Sequence, residues 1–381
     1  MTMDRDVYVI GVGIHRFGKH DVSRRDMHYV AGMTALEDAN ISFRDVGALY
    51  EGYIGGNMLD GVTYAKDLGL TGLPVIHIEN ASATGSSAFR EAVMAVSGGS
   101  TEVAMAIGFD GRLGNMAPAG PRRPTMDATL LPAAFFAFWA VRRMHDNGTT
   151  VETFAKIAAK NWNHARFNKY AERQAENEIT PEMVLAAPMV AYPHTAMMAC
   201  GAGAGAASAI VATREVAERL AGGRPLVKVI ASQMQSERYQ PGHIFLGAIV
   251  GPSESTRITA NLAYEEAGVG PEDLDLVHVH DAFPIEELMY YELLGICRDG
   301  EGDRLVAEGA TTIGGRIPFS TDGGLIGRGH PGGPTGLAQI WDVTQQLRGE
   351  SGQRQVAGAQ VGLAHMMGAG SVCVVHIFKR E

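Results

Sequence analysis

Two periodicities divide this chain between them. Short runs at Val7 to Ile10, Val103 to Ile107, Leu226 to Ile230, Leu276 to His280 and Val372 to Phe378 are dense in β-branched residues and have the length of buried strands. Between them, stretches such as 86–96 and 253–267 repeat apolar residues three and four apart, which predicts helices packed against those strands. Strands alternating with helices predict an α/β architecture. The longest apolar run, Leu130 to Val141, has 12 residues. That is short of the roughly 20 a bilayer span requires, so it predicts a buried helix with Pro132 accommodated in its first turn.

The pattern also repeats over long distance. Residues 35–49 (ALEDANISFRDVGAL) match residues 263–277 (AYEEAGVGPEDLDLV) at an offset of 228, each reading as helix, turn, acidic cap and strand. A second echo, Ala83 to Ala88 against Pro334 to Gln339, places a small-residue turn before a helix at an offset of 251. Self-similarity at this period predicts two related α/β halves, divided at 1–224 and 225–381. Residues 112–193 break the rhythm with Pro-Arg-Arg-Pro, the apolar run, and a polar helix through Lys156, Arg166, Lys169 and Arg173. This segment reads as a cap inserted over a site.

Composition narrows the class. With 381 residues, 46% hydrophobic and 19% charged, the chain can bury more than one core. A net charge of -10 and the lack of a long Lys/Arg run argue against a nucleic-acid surface. Three scattered cysteines, Cys200, Cys297 and Cys373, suit neither a disulfide scaffold nor a structural zinc site, and point to a reducing cytoplasm. The first twelve residues lack the basic and apolar regions of a secretion signal.

Candidate chemistry gathers at strand and turn ends. Glu79-Asn-Ala-Ser82-Ala-Thr-Gly-Ser-Ser-Ala88 follows an apolar run and opens a helix, where a small nucleophile projects from a tight turn beside the positive helix end. The competing reading is that Ser82 and Thr84 only cap that helix. In Gly323-Gly-Leu-Ile-Gly-Arg-Gly329-His330-Pro331-Gly-Gly-Pro-Thr-Gly336, glycines including Gly329 let backbone approach a ligand, and His330 could act as a base. His278 and His280 share one strand face before Asp281-Ala282-Phe283. This pattern also occurs in metal pairs, but no third ligand is near. A last strand ends in His365-Met-Met-Gly368. Ser82 and the histidines His280, His330 and His365 would form one site at the centre of a duplicated fold.

Taken in order, these four blocks resemble the active-site blocks of thiolases, most closely the sterol-carrier-protein-type thiolases, over essentially the whole chain. The resemblance implies a duplicated, five-layered α-β-α-β-α fold, a loop domain over a pantetheine channel, coenzyme A as a substrate and a homodimer or larger homo-oligomer. It also implies a possible small zinc-ribbon/OB-fold partner, with no metal in this chain. By motif, Ser82 stands where the family keeps its nucleophilic cysteine, His330 is the activating histidine, and His280 lies in the block that holds the oxyanion water. Ala282 and His365 occupy the two positions where relatives carry an acid/base cysteine. A serine alkoxide is harder to form than a thiolate from a cysteine of pKa about 8.5, so Ser82 would need His330 as a true base.

Three functions follow. The chain is a thiolase acting on a 3-oxoacyl-CoA, with Ser82 an introduced replacement of the nucleophilic cysteine. Alternatively it is a retro-aldolase acting on a β-hydroxyacyl-CoA, with His280, His330, His365 or Tyr290 moving protons, or a non-catalytic acyl-CoA-binding scaffold. Retention of the His330 block favours the thiolase, and retention of three site histidines disfavours the scaffold. Arg122, Arg123, Arg166 and Lys169 are candidates to meet CoA phosphates, with Gly329 and Gly368 allowing close approach. The Leu130 to Val141 run and the paired methionines at 197–198 and 366–367 suit a bulky aromatic, branched or steroid acyl group.

Overall fold

The computed structural model describes residues 3–111, 132–238, 243–244, 247–248 and 254–381. Arg122, Arg123, the Pro-Arg-Arg-Pro stretch and Leu130 lie outside the described residues. Among those described, nine strands form one mixed sheet. They are β1 (Val7–Gly18), β2 (Ala48–Gly52), β3 (Val75–Ile78), β4 (Val103–Asp110), β5 (Ala204–Thr213), β6 (Val227–Ser236), β7 (Leu276–His278), β8 (Val361–Gly368) and β9 (Val372–Arg380). Their order across the sheet is β7-β8-β9-β6-β1-β5-β4-β2-β3. β2 runs parallel to β3 and β4, β7 parallel to β8, and the other neighbours antiparallel.

The sheet is two half-sheets joined by a short seam, where Val7 to Val9 of β1 face Val229 to Val227 of β6. Helix α1 (Arg24–Ala39) packs on the outer face of the first half, near β1, β4 and β5. Between the halves lie α2 (Thr84–Ser97) and, from the second half of the chain, a helix at Thr335–Arg348. The outer face of the second half is covered by Ser255–Ala267. These are five layers. The central pair shares one core, with Phe89 and Val93 from α2 and Leu337 and Ile340 from its counterpart packed with Val7, Val9 and Phe378.

The two central helices approach closely because each has glycine at the crossing. A Cβ on Gly85 would lie 2.4 Å from the Gly333 carbonyl oxygen, and one on Gly336 2.8 Å from the Ser86 amide nitrogen. These glycines occupy matching places in the second sequence echo. The first echo is equally visible. α1 ends at a left-handed Asn40 (φ +53), then comes a 3-10 turn at Phe43–Asp45 before β2, while 255–267 ends at a left-handed Gly268 (φ +66), followed by a 3-10 turn at Pro271–Asp273 before β7.

Two readings of the inserted segment need correction. From Pro132 on, the apolar run lies in a longer helix, α3 (Pro132–Asn147), which is not wholly buried, since Phe138 and Val141 are exposed while Ala137, Trp139 and Ala140 face inward. The run is one-sided once the 3.6-residue period is imposed. The polar helix, α4 (Val151–Ala165), stops before Arg166. Arg173 is not on a solvated face, because its guanidinium donates to the carbonyls of Ala199 at 2.8 Å and Ile326 at 3.0 Å. No helix among the described residues is long and apolar enough to cross a membrane.

Candidate active site

Ser82 sits in a turn between β3 and α2. Ala81 adopts a left-handed conformation (φ +49) unusual for a residue with a Cβ. The turn is fixed from several sides: the Ala81 amide donates to Glu79 Oε1 (2.6 Å), the Ala83 amide to the Asn80 carbonyl (3.0 Å), and the Asn80 amide to Thr84 Oγ1 (2.9 Å). The helix N-cap is Ala83, so Ser82 is not the cap. Its hydroxyl instead lies 3.0 Å from His330 Nε2.

His330 follows the short helix α5 (Gly324–Gly327) and Gly329, whose φ of +113 turns the chain toward the site. Its amide donates to the Gly201 carbonyl (3.0 Å), and its Nδ1 lies 2.9 Å from Thr335 Oγ1. The Thr335 hydroxyl has one proton and gives it to the Pro331 carbonyl, which cannot donate in return. Thr335 can therefore only accept from His330, which fixes the Nδ1–H tautomer and points the Nε2 lone pair at Ser82. Burial, then the charges of His280 and Arg328, hold His330 well below the usual imidazole range, so it rests neutral.

His280 lies just past β7, its ring edge-on to that of His330 at 5.1 Å. Its Nδ1 is 2.9 Å from Glu286 Oε1, and its Nε2 is buried without a hydrogen-bond partner among the described residues. Glu286 comes from the first turn of α6 (Pro284–Leu293), begun by Pro284. It also accepts from the Tyr290 hydroxyl (3.1 Å) and the Ala282 amide (2.9 Å). Burial, then Glu286, raise the Tyr290 phenol well above its usual range.

His365, on β8, packs its ring 4.4 Å from that of Tyr290 and sets Nε2 3.1 Å from Thr256 Oγ1, leaving Nδ1 unpartnered among the described residues. Burial, helped by His280, pushes it down to about 3. The four residues singled out for catalysis are thus linked in space: Ser82 to His330 directly, His330 to His280 by ring contact, and His280 to His365 through Glu286 and Tyr290.

The expected His278–His280 face is used differently. His278 pairs with Asp342 (3.0 Å) and the Thr321 hydroxyl, while His280 lies beyond the strand and turns to Glu286. Among the described residues no group of three His, Cys, Asp or Glu is placed to hold a metal. Gly368 makes room for backbone, as a Cβ there would lie 2.2 Å from the Asn80 carbonyl oxygen, and one on Gly329 would lie 3.0 Å from Glu172 Oε2. Arg166 donates to the Glu176 carbonyl (3.2 Å), and Lys169 stacks over Tyr170.

Sequence reasoning missed Glu286 and Thr335. Both signals were present, as an acid three residues after a helix cap and a threonine five residues after a histidine, but each is common in ordinary helix starts. Helix α4 meets the next two acids of this region: Asn161 Nδ2 bridges Asp281 Oδ2 (2.7 Å) and Glu287 Oε2 (2.9 Å), and Lys160 pairs with Glu287. Burial and the neighbouring Glu287 raise Asp281 well above the usual carboxylate range. Phe136 and His194 lie against Phe283, with ring centroids at 5.1 and 4.9 Å. Cys200 bonds its amide to the Ala282 carbonyl (2.9 Å), so a thiol borne on a different segment stands beside that alanine.

Residues 249–380 match the family model described as thiolase C-terminal domain-like. Benzoylsuccinyl-CoA thiolase subunit BbsB of Thauera aromatica is 36% identical over 378 residues, covering 97% of this chain and 96% of that protein. Sterol carrier protein 2 of Homo sapiens is 34% identical over 399 residues, covering 98% of this chain and 72% of that protein. Among solved structures, the Ltp2-ChsH2(DUF35) aldolase superposes with a TM-score of 0.84 over 99% of this chain and 98% of that one, at 22% identity, a likeness of fold.

Proposed function

The chain belongs to the thiolase superfamily, in its sterol-carrier-protein and lipid-transfer-protein-like branch, and from that premise we propose that it is a thiolase-type acyltransferase. In this reading it makes or breaks a C–C bond in a 3-oxoacyl-CoA with free CoA. The observation that carries it is the 3.0 Å contact of the Ser82 hydroxyl with a His330 nitrogen whose tautomer Thr335 dictates. Ser82 attacks the 3-oxo carbon, and its proton passes to His330 Nε2. The relation to BbsB and the rings of Phe136, Phe283 and His194 favour an aromatic acyl group. Arg122 and Arg123 are the proposed contacts for CoA phosphates.

A retro-aldolase acting on a β-hydroxyacyl-CoA is the second reading. It is favoured by the connected path from Tyr290 through Glu286 to His280, which moves protons without a covalent intermediate. The deciding experiment incubates the protein and its Ser82→Cys variant with a panel of 3-oxoacyl-CoA esters and CoA, identifying products by mass. Thiolysis by either form, faster with cysteine, supports the acyltransferase. Inert behaviour of both, with cleavage of a β-hydroxyacyl-CoA to a carbonyl compound and a shorter CoA ester, replaces it by the aldolase.

For assembly, a homodimer through β3 is proposed. Within the described sheet this strand pairs only with β2, and Ile76 on it is 43% exposed. A free strand edge invites pairing. A small zinc-ribbon/OB-fold partner remains part of the proposal. Three free cysteines suit a cytoplasmic setting.

A further inference from the structure

The three site histidines differ in what stands behind them. Behind His330 is a threonine hydroxyl whose proton is already committed to Pro331. His365 faces the Thr256 hydroxyl and the Tyr290 ring. Of the three, only His280 has a carboxylate partner, Glu286, at 2.9 Å. Both are buried, at 6% and 2% exposure. Among the described residues no lysine or arginine pairs with Glu286. Glu286 also accepts from the Ala282 amide and the Tyr290 hydroxyl, and its place at Nδ1 lets it steady a proton taken up by the His280 ring.

We propose that Glu286 is a positioning residue that makes His280 the proton-transfer group of this site. The inference rests on the thiolase-type reading above and adds the acid/base that the motif positions, Ala282 and His365, do not supply as thiols. Its immediate neighbours are compatible. Tyr290 holds its proton, Cys200 is pushed up to about 12 by burial first, with Arg173 opposing and Glu286 adding, and His330 and His365 are neutral. Asp281 points away, to the Leu325 amide (2.8 Å) and Asn161.

The steps balance. After Ser82 Oγ bonds to the 3-oxo carbon and its proton moves to His330, the C2–C3 bond breaks and its electron pair becomes the enolate of the shorter acyl-CoA. Protonated His280 gives its Nε2 proton to C2. Incoming CoA then loses its thiol proton to His280, its sulfur attacks the Ser82 ester, and Ser82 Oγ leaves with the proton held by His330. His280 ends protonated, as it began. The free Nε2 lone pair or proton faces the site because Nδ1 is tied to Glu286.

Glu286 also serves the start of α6 through the Ala282 amide, so the test must separate proton transfer from capping. The shorter acyl-CoA released from the panel substrate is incubated in D2O with the wild-type protein and with Glu286→Gln, and exchange at C2 is followed by mass. Exchange and kcat are expected to fall together about 100-fold, within the range for general acid–base groups, with KM within about two-fold. Exchange near the wild-type rate in a folded variant overturns the proposal. Should the variant not fold, 15N spectra of histidine in the wild-type protein decide. Both ring nitrogens of His280 carrying protons support the proposal, and a neutral ring overturns it. A wild-type protein that cleaves no 3-oxoacyl-CoA overturns the underlying reading as well, whereas cleavage with unaffected exchange in Glu286→Gln overturns this inference alone.

Discussion

Ser82, His330 and Thr335 form an uncharged side of the site, while His280, Glu286 and Tyr290 form a side built on a carboxylate. The first set hangs on the central helices and the glycine loop, and the second on the end of β7 and the start of α6. Neutral supports suit a group that only borrows a proton from its neighbour and returns it. In the proposed steps a carboxylate suits the group that gives a proton to C2 and takes one from the CoA thiol. The comparison teaches that two histidines in ring contact can be given different work by one atom behind each.

Replacing Ser82 by alanine should break the uncharged side most severely, lowering kcat by about 10³-fold or more with folding intact. Steady-state thiolysis with a circular dichroism control would show this. Substituting Gly336 with alanine should push apart the two central helices, one beginning just after Ser82 and the other at Thr335, since the new Cβ meets backbone at 2.8 Å. A loss of about 3 kcal/mol in urea melts is expected. Thr335→Val should cost only about 10-fold in kcat, an order less than Glu286→Gln, because it frees the tautomer without stranding a charge. Thr335→Ser should restore most of the loss.

A gentler probe compares the whole molecule with itself across pH. Burial is the main cause that pushes His164, His365 and His376 down to about 3. Their folded values lie below the unfolded one near 6.5, so the unfolded chain binds more protons and stability is lost as pH falls from about 6.5 toward 3. Each histidine accounts for up to about 1.4 kcal/mol per pH unit. Urea midpoints at pH 7.5, 6 and 5 would check the trend, and His376→Gln should flatten it.

Much of this was legible in sequence because it is local. Most strands followed from β-branched runs, though not the alanine-rich β5, the duplication from matched helix–turn–strand segments, and the serine turn from small residues between an apolar run and a helix. Even Gly85 and Gly336 lay at matching places in the echo, although nothing local said that they touch. The helical extent of the cap segment was misread at Arg166 because periodicity does not say where backbone bonds to other segments begin.

Sequence alone therefore determined most of the elements that form and which four residues deserve attention, since propensity and motif are properties of neighbours along the chain. Only the tertiary structure decided what each of the four touches. The proton on His330 is set by Thr335 and Pro331, and the Nε2 of His280 is left free because Glu286 takes its other nitrogen. Ser82 meets His330 across 248 residues of chain. Hydrogen-bond direction and burial depend on atoms a few ångströms away, and folding brings those atoms together from distant segments.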